Sequence, residues 1–476
     1  MGHAFPVRVF RSSLVGLVVG VAILLAVLLV AGYLRGQNKY PDPVALAAAT
    51  PYQNTFFDPD PNHPWNQLYG MLFIRPAWNG KLYGQDEMDP LYWGTTRYLL
   101  DGPLHQKALA ALDLFIQSGS AQRIKDPLKR ALLQRMLWAV FDRWSHRFFD
   151  PYDRDAIARE NTTFASEHRE LQIRLVKIMR SVALTDEEID ALPNNYNRES
   201  AAKAYPPAFD PTHVDQPFLP ATFFSRADWV ELGTDRYEQV APVHVKAVSG
   251  RSDFHVLISL PSGRSDTLAY LKRLHDFQPH WVYDQSKAGN FFDRGGEGPP
   301  WTNADVPQVP PFTKFALVRT ANLINNKGEI RNSPLMESVQ IRVIRTILPN
   351  HSSGGEQSFF LFTLDQRKLL QGEGGLVARG KDDLGFDLVL EYGQDPLQKH
   401  SERSRDPVYH GEFSRVSSCF SCHSAPGIFS MNSYIQFFQD RRTLVPPTLQ
   451  EGTSESLEWK QEQYNWGLLQ AYWFTQ

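Results

Sequence analysis

The stretch "ALVRTANLINNKGEIRN", residues 316–332, decides the fold of this chain. Two extended arms flank the short turn "NNKG", and the Asn-Lys-Gly sequence favours the backbone reversal of a tight hairpin. Strands joined by short turns rather than by crossover helices are typical of antiparallel sheets. We therefore predict a β-hairpin here, inside an antiparallel sheet.

Apolar and polar residues alternate in several other stretches on both sides of this hairpin. Alternation with a period of two is the pattern of a strand that buries one face. The apolar positions are Phe254, Val256, Ile258 and Leu260; Val339, Ile341 and Val343; and Phe386, Leu388, Leu390 and Tyr392. These stretches predict an antiparallel β domain over residues 206–395.

Before the β domain, the apolar residues recur with the spacing of α-helices. The stripes are Leu104, Ala108, Leu112 and Phe115; Leu128, Leu132, Met136, Val140 and Trp144; and Leu171, Leu175, Ile178 and Val182. Thr185 and Glu188 have the spacing of a capping box at a helix start. We predict an α-helical domain over residues 96–205, so the expected fold class is α+β.

The N-terminal region contains an uncharged, apolar segment at residues 14–34. Its 21 residues would span about 31 Å as a helix, which matches the hydrocarbon core of a membrane. A cleaved signal peptide is the alternative, although its apolar region is usually shorter. We predict a single-pass signal anchor, with a cytoplasmic tail at 1–13 and a linker and irregular segment at 35–95.

The composition limits the classes of partner. The formal net charge of the 476 residues is −3, so the chain has no strongly basic field to attract a nucleic-acid backbone. We expect no nucleic acid among its partners. Residues 396–476 form the last predicted segment, and the stretch at 455–474 in it predicts a terminal helix rich in aromatic residues.

The two cysteines of the chain lie together in "SRVSSCFSCHSAPG", residues 414–427. Cys419, Cys422 and His423 form the C-x-x-C-H pattern in which two thiols bond to the edge of a haem and the adjacent imidazole binds its iron. A zinc site would need further paired ligands, and a disulfide across two residues would close a very small loop. A redox-active thiol pair would be expected next to a βαβ unit, which this region does not predict. The pattern favours one covalently attached haem c.

These residues resemble the attachment motif of c-type cytochromes. The resemblance covers the motif and an export segment, and it implies cofactor-binding roles for Cys419 and Cys422 and a proximal iron ligand at His423. It also implies export of the folded body to the periplasmic side of a bacterial membrane, where haem is attached. Only 53 residues follow His423, so the small all-α cytochrome domain is not expected, and upstream residues must help to cover the haem.

The layout resembles more weakly a β-sheet class of c-type cytochromes that also carries its motif near the C-terminus. Members of this class cross-link a lysine to the haem. The resemblance leaves five candidates for such a residue, which are Lys314, Lys327, Lys368, Lys381 and Lys399.

The sixth iron ligand stays open at this point, and so does the choice between carrier and enzyme. Met431 is favoured because it closely follows the motif, and a methionine ligand suits electron transfer. His400, His410 and no ligand at all are the alternatives. We expect electron transfer with an unidentified redox partner protein; a haem enzyme with an open iron site, or a sensor or scaffold, is the alternative.

Overall fold

The protein is described here by a computed structural model. The described residues are 55–76, 82–83, 99–100, 102–145, 164–224, 228–233, 244, 250–279, 281–284, 286, 301–347, 356–381, 383–385, 413–423, 427–431 and 456–475. Within these ranges no helix is both long and apolar enough to cross a membrane. The predicted anchor at 14–34 and the alternating stretch at 386–392 lie outside the described residues.

A six-stranded antiparallel sheet forms the centre of the described structure, and three two-stranded ladders accompany it. The strands are β1 Arg75–Pro76, β2 Leu82–Tyr83, β3 Val230–Leu232, β4 Ser252–Ser259, β5 Trp281–Val282, β6 Trp301–Thr302, β7 Lys314–Ile324, β8 Ile330–Ile344, β9 Gln357–Leu364, β10 Leu376–Arg379, β11 Leu384–Gly385 and β12 Phe413–Ser414. The six-stranded sheet has the order β3-β4-β7-β8-β9-β10, and the ladders are β1-β2, β5-β6 and β11-β12.

The predicted hairpin at residues 316–332 is present as β7 and β8. Ile324 pairs with Ile330 across the turn, and the side chain of Asn325 accepts hydrogen bonds from the backbone N–H groups of Lys327 and Glu329. Gly328 has φ +85°, a conformation that favours glycine. Local turn chemistry therefore specifies this hairpin.

Of the described helices, six precede the central sheet in the chain, and five lie between or after its strands. The helices are α1 Pro64–Phe73, α2 Gly102–Gln117, α3 Pro127–Ser145, α4 Ala165–Ser181, α5 Asp186–Asp190, α6 Asn195–Ala202, α7 Arg264–Asp276, α8 Gln366–Leu370, α9 Arg415–His423, α10 Ser456–Gln461 and α11 Tyr464–Thr475. The apolar stripes of α2 and α4 pack into one core with Met136 and Val140 of α3, whereas Leu128 and Leu132 of the α3 stripe belong to a second cluster. The capping box of Thr185 and Glu188 is formed, with each side chain bonded to the other's backbone. The α+β class is thus observed.

Helix α3 joins the helices to the sheet through apolar and polar contacts. Ala131 and Leu132 pack in one cluster with residues of β7, and the buried Gln134 amide both donates to and accepts from the backbone of Ile324. Arg135 forms a fully buried ion pair with Glu337 at 3.0 Å. Because a buried charge is costly unless it is paired, these contacts fix α3 at one place on the sheet.

Two local features differ from the sequence predictions. Within the segment expected to be irregular, Pro64–Phe73 forms helix α1, which buries Trp65 and Tyr69 in the helical core. The terminal helix is interrupted between α10 and α11, and this break allows both Lys460 and Asn465 to bond to the buried Asp142. Tertiary contacts explain both differences. The predicted domain boundaries stay predictions.

Candidate functional site

Helix α9 carries the cysteine motif. Cys419, Cys422 and His423 occupy positions i, i+3 and i+4, which lie on one face of an α-helix. A thiol pair and an imidazole at these positions can address one flat ligand from the same side. The helix therefore places the three residues of the motif on one face.

One side of α9 rests on strands β8 and β9. Val416 is buried, and it lines a shallow pocket together with Cys419, Gln340 and Phe359. The other side of the helix faces solvent, and Phe420 is 45% exposed while its ring edge packs on Phe359 with a centroid distance of 5.5 Å. Cys419, which is partly exposed, thus lies where the helix meets the two strands.

The ring of His423 is held by a hydrogen bond to the backbone. Its Nδ1 lies 2.7 Å from the carbonyl oxygen of Ser430. A carbonyl oxygen can only accept, so Nδ1 carries the proton and donates it. In a neutral ring this leaves the lone pair on Nε2, which is the arrangement of a metal-binding histidine with its second nitrogen fixed by the backbone. Gln357 also donates to the His423 carbonyl at 3.1 Å.

The position of Ser430 depends on the short 3₁₀ turn Gly427–Ser430. Gly427 has φ +58°, and a Cβ atom there would overlap the amide oxygen of Gln308, which accepts from the backbone of Ile428. Ile428 and Phe429 are fully buried in the apolar core beneath. Because backbone conformation and core packing both fix this turn, the acceptor for His423 is placed before any ligand binds.

Arg342 of β8 completes the support from below. Its guanidinium donates to the carbonyl oxygen of Ser430 at 3.1 Å and to the Ser430 hydroxyl at 2.8 Å. It also lies 5.1 Å from the centroid of the Phe315 ring on the neighbouring strand. Burial lowers the pKa of Arg342 to about 10, so the group stays cationic at neutral pH.

A second histidine, which the sequence patterns did not single out, lies beside His423. The rings of His244 and His423 are nearly parallel, with an interplanar angle of 8° and centroids 6.2 Å apart. Burial, with Arg342 and Arg319 nearby, lowers the pKa of His244 to about 4. Burial, Arg342 and His244 together also hold the pKa of His423 well below its ordinary value. Both imidazoles are therefore neutral at physiological pH.

The other predicted ligands are placed differently. Met431 is buried in the apolar cluster with Ile428 and Phe429, and its role as a ligand stays a prediction. His400 and His410 lie outside the described residues. In the part of the chain that the structure describes, no group of three or more His, Cys, Asp or Glu side chains is arranged to hold a metal ion.

His244 could not be found from a motif, because no ligand pattern surrounds it in the sequence. The sequence shows only that the chain has 14 histidines, any of which the fold could bring close to the motif. Comparison with known proteins gives no further guide: no family model, no curated protein and no solved structure matches the chain.

Proposed function

We propose that this protein is a membrane-anchored, exported c-type haem protein that acts in electron transfer. The observation that carries the proposal is His423, which follows two cysteines on one helix face and has Nδ1 fixed by Ser430. When bound, a haem supplies an iron that alternates between the ferric and ferrous states.

The residues of the chain have separate tasks in this proposal. Cys419 and Cys422 hold the haem through thioether bonds, and His423 offers Nε2 to the iron. The Ser430 carbonyl keeps the imidazole in one tautomer and orientation, which is the usual task of a partner behind a ligand. Arg342 adds a fixed positive charge below this carbonyl.

Surface placement favours electron transfer over chemistry in a closed pocket. Cys419 is itself partly exposed, and Ser417 and Phe420 near it on the helix are exposed. A group bonded to Cys419 would therefore have an edge near the surface, where a redox partner protein can approach. Small-molecule chemistry usually takes place in an enclosed cleft that surrounds the substrate.

The membrane and export parts of the proposal rest on the sequence of residues 14–34. An apolar run of this length is sufficient for one membrane crossing, and haem attachment requires export of the body. Fractionation should recover the full chain in the membrane after an alkaline wash. A reporter enzyme that is active only after export, fused after residue 476, should be active.

Covalent attachment is the direct test of the haem. The full chain is produced with a c-type maturation system, denatured, and extracted with acidified acetone. The haem should stay with the polypeptide, and its pyridine adduct should have the spectrum of a haem with saturated vinyl groups. Because the chain has two cysteines, the C419S/C422S double variant should lose all covalent haem.

The S421A variant is the matched control, since it changes the motif helix without removing a bonding group. It should keep its haem. A wild-type protein without haem, or with haem that the solvent removes completely, would refute the proposal.

A further inference from the structure

The pair formed by His244 and His423 has a geometry that direct ring contact does not explain. Parallel rings in contact have atoms about 3.5–4.0 Å apart. The centroids of these two rings are 6.2 Å apart at an interplanar angle of 8°. The two imidazoles are therefore too far apart for close face-to-face stacking, and their planes are nearly parallel.

The separation matches two imidazoles bound to one metal from opposite sides. A bond between a metal and an imidazole nitrogen is about 2.0 Å long, and the centre of the ring lies roughly 1.2 Å behind that nitrogen. Two such arms in line give a centroid distance of about 6.4 Å. We infer that His244 is the second axial ligand of the haem iron, opposite His423, and this inference rests on the proposed function.

The remaining chemistry of the two rings agrees with this assignment. His423 uses Nδ1 for the Ser430 carbonyl, which leaves Nε2 for a metal. His244 makes no hydrogen bond to any other described residue, although its ring is half-buried. A metal bond at His244 would compensate the cost of burying its polar ring atoms.

A porphyrin iron explains the pair better than a bare metal ion. Among the described residues no third His, Cys, Asp or Glu joins the two histidines in a metal-binding group. Two imidazoles are too few for a protein-bound zinc ion, which needs about four ligands. A haem supplies four nitrogen ligands of its own and needs the protein only at the two axial positions.

The assignment also sharpens the proposed function. Two imidazoles would fill both axial positions, so the iron would have no open position for a substrate. A methionine ligand raises the reduction potential, so the potential here should be lower than with Met431 as ligand. The site would then serve electron transfer at a low potential.

The first experiment uses the unmutated holoprotein. Near-infrared magnetic circular dichroism of the ferric form distinguishes nitrogen–nitrogen from nitrogen–sulfur ligation, and we expect the former. The rings are nearly parallel, so the electron paramagnetic resonance spectrum should be that of an ordinary rhombic low-spin iron. Perpendicular rings would give a strongly anisotropic signal instead.

The second experiment uses variants of the same holoprotein. The H244A variant should keep its covalent haem, become high-spin and take up carbon monoxide rapidly in the ferrous form. Added imidazole should restore the low-spin spectrum by occupying the vacated position. H275A, which changes an exposed histidine on α7, and M431L should both remain low-spin.

The inference is overturned by a sulfur-to-iron band in the unmutated protein, by a high-spin unmutated protein, or by an H244A variant that keeps the wild-type spectrum. If M431L alone becomes high-spin, Met431 is the ligand. If H244A does not accumulate, the spectra of the unmutated protein still decide. Absence of covalent haem from the wild type would refute the proposed function itself, so the two failures are distinguishable.

Discussion

Two regions of the protein bury basic side chains, and they differ in whether a carboxylate lies within ion-pair distance of those side chains. In the first region, Nδ1 of His255 lies 2.7 Å from Glu231, and Nε2 lies 3.6 Å from Asp253. Arg319 likewise pairs with the buried Glu337 at 3.0 Å. Every basic group named here has a carboxylate within ion-pair distance, as buried charges generally do.

The second region contains His244, His423 and Arg342. Within the described residues, none of these three has a carboxylate at ion-pair distance, and Arg342 donates to Ser430 instead. The two regions have opposite effects on histidine. Burial lowers the pKa of His255, but the hydrogen bond and charge of Glu231 and the charge of Asp253 outweigh it, so the net shift is upward.

The comparison shows that the charge of the partner, rather than burial, decides what a histidine can do here. All three histidines are half-buried. A protonated imidazole beside a carboxylate forms an ion pair and has no lone pair to give, whereas a neutral imidazole can bind a metal. The region of His255 and Arg319, which we call the carboxylate-paired region, is therefore structural. The region of His244, His423 and Arg342, which we call the carboxylate-free region, is suited to a ligand.

The largest expected effect on stability is in the carboxylate-paired region. The E337Q variant removes the charge that Arg135 and Arg319 share, and it leaves buried cations without their carboxylate. We expect the free energy of unfolding to fall by about 3–5 kcal/mol, as for other broken buried ion pairs. Denaturant unfolding followed by circular dichroism measures this change.

The E356Q variant is the control, because Glu356 pairs with Arg345 at 3.2 Å while its own side chain is 63% exposed. Exposed ion pairs contribute about 0–1 kcal/mol, so this variant should unfold close to the wild type. The spectrum of the bound haem should not change in either variant. Equal losses of stability in the two would contradict the comparison.

An intermediate effect is expected from Arg342 in the carboxylate-free region. The R342Q variant removes two hydrogen bonds to Ser430 and a positive charge close to His423. The free energy of unfolding should fall by about 1–2 kcal/mol. Because a nearby cation disfavours the ferric state, the reduction potential should fall by on the order of tens of millivolts, which a redox titration measures.

R345Q is the matched control for this change, since Arg345 follows three residues later and pairs with a more exposed carboxylate. Its reduction potential should stay near that of the wild type. A potential that rises in R342Q, or that shifts equally in both variants, would show that Arg342 does not act on the iron through its charge.

Much of the fold could be predicted from the sequence, because its signals are local. The turn of the hairpin at 316–332 is specified by a few residues, and the capping box of α5 spans four positions. The break before α11 could not be predicted. It follows from Asp142, which lies far away in the chain and binds both Lys460 and Asn465.

The candidate site divides in the same way. Cys419, Cys422 and His423 lie within five consecutive positions, so their spacing alone predicts haem attachment. His244 and Arg342 come near them only through the packing of the sheet and α9, and neither has a local pattern. A sequence motif could therefore suggest the proposed cofactor and one proposed axial ligand, while the proposed second ligand required the fold.

The smallest expected effect concerns the pH dependence of stability in the carboxylate-paired region. Because the folded pKa of His255 is raised above its unfolded value of about 6.5, the ion pair contributes fully below pH 6.5. Its contribution is lost as the pH rises through the folded pKa. We expect the difference in unfolding free energy between the wild type and E231Q to be about 1 kcal/mol at pH 5.5 and to shrink above pH 6.5.

Denaturant unfolding of both proteins between pH 5.5 and pH 9 measures this difference, and groups common to the two cancel. Lys272→Met is the control, because Lys272 on α7 pairs with Asp276 at an exposed position and should show no such trend near neutral pH. A difference that grows with pH would mean that His255 is neutral in the folded protein. The contrast with His244 and His423 would then no longer depend on the carboxylates, because burial alone would set all three pKa values.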